Sequence, residues 1–70
     1  MTKVEELRSL LESVDDSYDD FVEGGIMEAE SDEGYADRVI GFIKANPNAT
    51  SSDIIRFETE HIFGIKPISN

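Results

Sequence analysis

From Val39 to Ile55 the chain reads VIGFIKANPNATSSDII, two apolar stretches separated by a capped turn, and this segment decides the fold. Asn46-Pro47-Asn48-Ala49 is turn chemistry, because proline cannot continue a helix and Asn side chains bond to nearby backbone. Thr50 has Asp53 three residues on, the spacing of a capping box, and Ala49 faces Ile54 as a hydrophobic staple. A helix therefore starts near residue 51. Ile54, Ile55, Phe57 and Ile62 supply its apolar face, and Gly64 stands where a helix C-terminal glycine belongs, which predicts a helix over about 51–63. The tail Ile65-Lys66-Pro67-Ile68 is expected to fold its isoleucines back onto the bundle.

Upstream of this segment, Ser31 offers a cap, Asp32 and Glu33 suit a first turn and Lys44 a last one, each complementing the helix dipole. The helix predicted over about 32–45 carries Tyr35, Ala36, Val39, Ile40, Phe42 and Ile43 on a face wider than an ordinary surface stripe, which places it at the centre of the core. Near the start, Thr2 and Glu5 form another capping box. Val4, Leu7, Leu10, Leu11, Val14, Tyr18, Phe21 and Val22 share one stripe and the acids fall outside it, so one helix is expected over about 3–23, ended by Gly24-Gly25. The competing reading breaks the chain at Asp15-Asp16 with Ser17 as a fresh cap. Gly24 to Glu30 has room for an extra short helical turn. No alternating strand pattern occurs. The expected fold is all-α, a small three-helix bundle in a single domain, its second and third helices arranged as a helix-turn-helix without a wing.

A chain of 70 residues makes one small core, and without cysteine neither a disulfide nor a thiolate metal site can staple it. Positions 4, 7, 11, 14, 18 and 21 also follow heptad spacing, for too short a run to define a coiled coil, which leaves a homodimer seam open. No long apolar run suggests a signal peptide or a membrane span, and a cytoplasmic location is expected.

The charge is one-sided. Between Glu12 and Asp37 stand eleven acidic residues and no Lys or Arg. Residues 1–37 hold thirteen acids against Lys3 and Arg8, a balance of −11, and residues 38–70 hold three against four cations, a balance of +1. Such a field repels phosphates and anionic headgroups and draws in basic surfaces. It also suits a merely solvated surface, or life in high salt. On a continuous first helix, Glu12, Asp16 and Asp20, and likewise Asp15, Asp19 and Glu23, would stand at i,i+4 spacing, four like-charge pairs each costing roughly 0.2 to 0.5 kcal/mol. A basic partner covering that face would compensate. The expected function is thus a small acidic protein-interaction module of the inhibitor, antitoxin or immunity type, binding a basic protein surface through Glu12, Asp15, Asp16, Asp19, Asp20 and Glu23.

The segment Val39–Ile55 resembles the helix-turn-helix half of winged-helix repressors, over about a third of the chain. That resemblance implies a nucleic-acid-binding regulator acting as a dimer, the alternative function. The departure lies where DNA would be read: the outer face of the third helix offers Ser52, Asp53, Arg56 and Glu60, where base and phosphate contacts need Arg, Lys, Asn or Gln, and no strand pair follows. No nucleic acid is therefore expected as a partner, and no membrane.

Other chemistries find little support. Glu58 and His61 have the Glu-x-x-His spacing of carboxylate-bridged metal sites, but one pair supplies too few ligands, so a rim salt pair is expected. A calcium loop starting at Asp15 would need Gly and Glu where Asp20 and Ile26 stand. Asp16-Ser17-Tyr18 resembles the phosphopantetheine site of acyl carrier proteins, with too little chain before it for that fold's first helix and loop. With one His and no Cys, no poised acid, base or nucleophile is visible, and neither catalysis nor a metal or cofactor is expected.

Overall fold

In the computed structural model, which describes residues 2–62, four helices carry the described chain: α1 (Lys3–Glu12), α2 (Asp19–Ser31), α3 (Glu33–Ala45) and α4 (Ser51–His61). The all-α bundle is present, with the first expected helix divided in two. Helices α1, α2 and α3 pack on one another, and α4 packs chiefly on α3. Leu7, Leu11, Val39 and Ile54 are fully enclosed at the centre, with Phe21, Val22, Ile26, Tyr35, Ile40 and Ile43 around them.

Both predicted capping boxes form. Thr2 Oγ1 accepts the Glu5 amide at 3.1 Å while Glu5 Oε1 accepts the Thr2 amide at 3.0 Å, and Thr50 with Asp53 repeats the exchange at 3.1 Å in each direction. Each box satisfies donors that a helix start otherwise leaves unpaired. Helix α3 keeps its expected span, with Tyr35, Ala36, Val39, Ile40 and Ile43 buried. Its cap is Asp32, whose Oδ1 accepts the Gly34 amide at 2.9 Å; Ser31 instead ends α2 and donates back to the Met27 carbonyl at 3.1 Å.

The expected helix over about 3–23 is corrected. The chain leaves α1 at Ser13, whose hydroxyl donates to the Leu10 carbonyl at 2.7 Å, turns through residues 14–17 and re-enters a helix at Asp19, with extended Tyr18 in the cap position in place of Ser17. The physical reason lies in the Ser13-Val14-Asp15-Asp16-Ser17 run, whose short polar side chains compete for backbone groups and disfavour a helix interior. Val14 remains buried inside the turn, so the apolar stripe keeps its phase through a break. The break also removes three of the four like-charge pairs, leaving Asp19 and Glu23 within one helix.

Gly24-Gly25, expected as a stop, lies inside α2, which continues to Ser31 and absorbs the segment expected as a short turn. Phe21, Val22, Gly25, Ile26 and Ala29 form its buried face. A Cβ on Gly25 would lie 2.7 Å from Leu11 Cδ1, so the glycine is what allows α1 and α2 to approach this closely. The third expected helix is described to His61; the capping glycine Gly64 and the tail Ile65–Ile68 lie outside the described residues. Ile55, expected on the apolar face, is 42 % exposed.

Candidate functional site

The break between α1 and α2 divides the six acids expected to make one binding face among three segments of the chain. Glu12 ends α1, Asp15 and Asp16 occupy the turn, and Asp19, Asp20 and Glu23 open α2. Their roles differ. Glu23 takes the Arg8 guanidinium on both oxygens, at 2.8 and 3.4 Å, which pins α2 to α1, and Glu12 lies 3.8 Å from the same guanidinium. The hydrogen bond to Arg8, with its charge, holds the Glu23 carboxyl below the usual range.

Asp16 makes a long-range polar contact, reaching across 35 positions to α4. Its Oδ1 accepts the Ser51 amide at 2.7 Å and its Oδ2 the Ser51 hydroxyl at 3.1 Å, at the first residue of α4, where Ser51 is buried. A carboxylate at a helix start meets both unpaired amides and the positive end of the dipole. The Ser51 amide is the main cause of the lowered Asp16 pKa. Asp16 is thus a structural clasp, whereas Asp15, Asp19 and Asp20 have side chains that make no hydrogen bond or ion pair among the described residues.

These roles separate two substitutions that look alike in the sequence. Asp16→Asn should lower the melting temperature at neutral pH, because an amide brings no charge to the α4 terminus. Asp20→Asn should leave stability within about 0.5 kcal/mol of wild type, as surface changes usually do. For Asp16 the folded pKa lies below the unfolded 3.8, so its contribution is present above that value and is lost as pH falls through the folded pKa. Melting curves from neutral pH into this acid range should therefore converge for wild type and Asp16→Asn; parallel curves would count against the clasp.

A second feature was missed by sequence reasoning. The Tyr35 hydroxyl donates to Glu58 Oε2 at 2.6 Å, joining α3 to α4 across 23 positions. Burial raises both groups, and the bond to Glu58 raises Tyr35 further. The expected rim pair of Glu58 with His61 is thereby corrected: Glu58 turns inward to the tyrosine, and the His61 ring lies against Phe57 with centroids 5.2 Å apart. Since the folded state holds the Glu58 proton more tightly, this group makes stability decline as pH rises from 4.5 through its raised pKa.

Tyr35 and Glu58 border a cleft of about 240 Å³ between α2 and α4. Phe21, Gly24 and Gly25 line its α2 side and Ile55 its α4 side, with Tyr18 at its edge. Every charged side chain lining it among the described residues is acidic: Asp20, Glu28 and Glu58. A larger open groove of about 580 Å³ lies beside the α3–α4 turn, lined by the stacked rings of Phe42 and Phe57 and by Arg56 as well as Asp53 and Glu60, so it carries charge of both signs and selects no ligand by charge. Among the described residues, no three His, Asp or Glu side chains are grouped to hold a metal ion, and no helix is long and apolar enough to cross a membrane.

No protein family, curated protein or solved structure matches this chain. Function must accordingly be argued from the surface itself.

Proposed function

We propose that this chain is a small, non-catalytic protein-interaction module that binds a basic surface on a protein partner, in the manner of an inhibitor, antitoxin or immunity protein. The observation that carries the reading is the unopposed charge of α2. Lys3 pairs with Asp37, Lys44 with Glu6 and Arg8 with Glu23, while Arg38 donates to the His61 carbonyl. Asp19, Asp20 and Glu28 on α2 have no ion pair among the described residues. Charge of one sign, left without counter-charge on an ordered helix, steers an oppositely charged surface into contact. The binding face is revised accordingly: Asp15, Asp19, Asp20 and Glu28 are available to a partner, and Asp16, Glu12 and Glu23 serve the fold.

The experiment is affinity capture from cells that make the protein, followed by stopped-flow association with the captured partner. Asp19→Asn/Asp20→Asn/Glu28→Gln should slow association and weaken its salt dependence with little change in dissociation, because steering acts on the on-rate. Random duplex DNA at about 50 mM salt, where phosphate contacts are strongest, should not bind. Sub-micromolar affinity for that duplex would overturn the proposal in favour of a nucleic-acid regulator.

A further inference from the structure

Helix α4 leans on α3 and leaves the α2–α4 cleft open along one side. Two properties of this cleft point to one occupant. Its walls are apolar, with Phe21 on one side and Ile55 on the other, and Tyr18 and Ile55 remain 51 % and 42 % exposed at its margin. Among the described residues its charges are all negative. A long side chain that is apolar along its stem and cationic at its tip matches both, and only Lys and Arg have that form.

We infer that the α2–α4 cleft is the docking groove for a Lys or Arg side chain projecting from the basic partner, its methylene stem between Phe21 and Ile55 and its cationic head toward Asp20, Glu28 and Glu58. This assignment rests on the proposed basic partner and names where that partner's anchor enters.

Glu58 distinguishes the cleft from the open acidic surface. It is half-buried and keeps one oxygen on Tyr35, so a cation meeting it interacts through a less watery medium, where Coulomb attraction is stronger than between exposed pairs. The Tyr18 and Phe21 rings, with centroids 5.7 Å apart, add aromatic surface on which a guanidinium can rest. Gly24 leaves the α2 wall bare: a Cβ there would meet no atom within 4 Å. Room therefore exists for a side chain at this position, and adding one would narrow the cleft without disturbing the core.

The test uses the full chain, isotope-labelled, titrated with a short synthetic amphipathic peptide of Lys, Arg and Leu and followed by amide chemical shifts. Wild type should show its largest shifts at Gly24, Glu28, Ile55 and Glu58. Gly24→Ala should bind like wild type, whereas Gly24→Leu, with net charge unchanged, should lose about tenfold or more in affinity, as when a buried anchor is blocked. Circular dichroism of Gly24→Leu should match wild type; if it does not, Glu58→Gln, which keeps an acceptor for Tyr35, replaces it and should weaken the peptide several-fold. Undiminished binding by the blocking variant, with shifts centred on Asp15 and Asp19, would overturn the cleft and leave the basic-partner reading standing. Absence of wild-type binding even at low salt would overturn both.

Discussion

Leu11→Ala should cost about 2 to 5 kcal/mol, the range for truncating a large apolar side chain in a closed core. A domain of 70 residues has roughly 3 to 10 kcal/mol in all, so this change should remove about half of its stability. Leu11 is fully enclosed, and its Cδ1 fills the space that the missing Gly25 side chain leaves open. That contact makes the prediction sharper than a generic cavity. Gly25→Ala alone should destabilise: it gains up to about 1 kcal/mol of helix propensity but forces an enclosed leucine to shift, and overpacking of this kind costs about 1 to 3 kcal/mol. In the double variant the new methyl occupies part of the cavity, so Gly25→Ala should turn from destabilising to stabilising when Leu11 is already Ala. Urea titrations followed by circular dichroism, in sulfate buffer to keep the variants folded, give the cycle. Additive effects would mean that the helices separate and that Gly25 is not what sets their spacing.

Ile54→Ala should be equally costly, about 2 to 5 kcal/mol, and different in kind. Ile54 and Ser51 are the buried residues of α4; the Phe42–Phe57 stack, with centroids 4.3 Å apart, and the Tyr35–Glu58 bond are only partly enclosed. The other three helices pack on one another without it. Losing Ile54 should therefore release α4 as a local unit while α1 to α3 stay folded, an opening below the global free energy. Hydrogen exchange should show protection lost across α4 and retained in α3. Exchange that rises uniformly along the chain would show α4 to be part of a single cooperative core. The distinction bears on the proposed docking groove, because α4 forms one wall of the cleft, and Asp16 clasps its first turn.

Local chemistry made the starts of α1 and α4 legible. Thr2 with Glu5 and Thr50 with Asp53 place each capping donor and acceptor three residues apart, so the pairing is available before any tertiary contact forms. The broad apolar face of α3 likewise announced its central place. The break at residues 13–18 stands in the sequence only as the competing reading, because Val14 is buried as a turn residue at the position it would hold on a helix, so periodicity alone cannot see the interruption. A signal existed in the Ser-Val-Asp-Asp-Ser composition, which favours turns, and in the stripe of Phe21, Val22, Ile26 and Ala29, which runs on past the two glycines.

Of the candidate site, the sequence determined the sign and location of the charge, which composition alone dictates, together with the caps and helix faces, which depend on neighbours within a turn. Which acids are engaged within the fold was decided only in three dimensions. Asp16 finds Ser51 across 35 positions and Glu58 finds Tyr35 across 23, and no local spacing encodes either contact. The cleft, too, arises because α4 rests on α3 and, among the described residues, leaves the outer side of α2 uncovered, a consequence of how the apolar faces of all four helices share one small core.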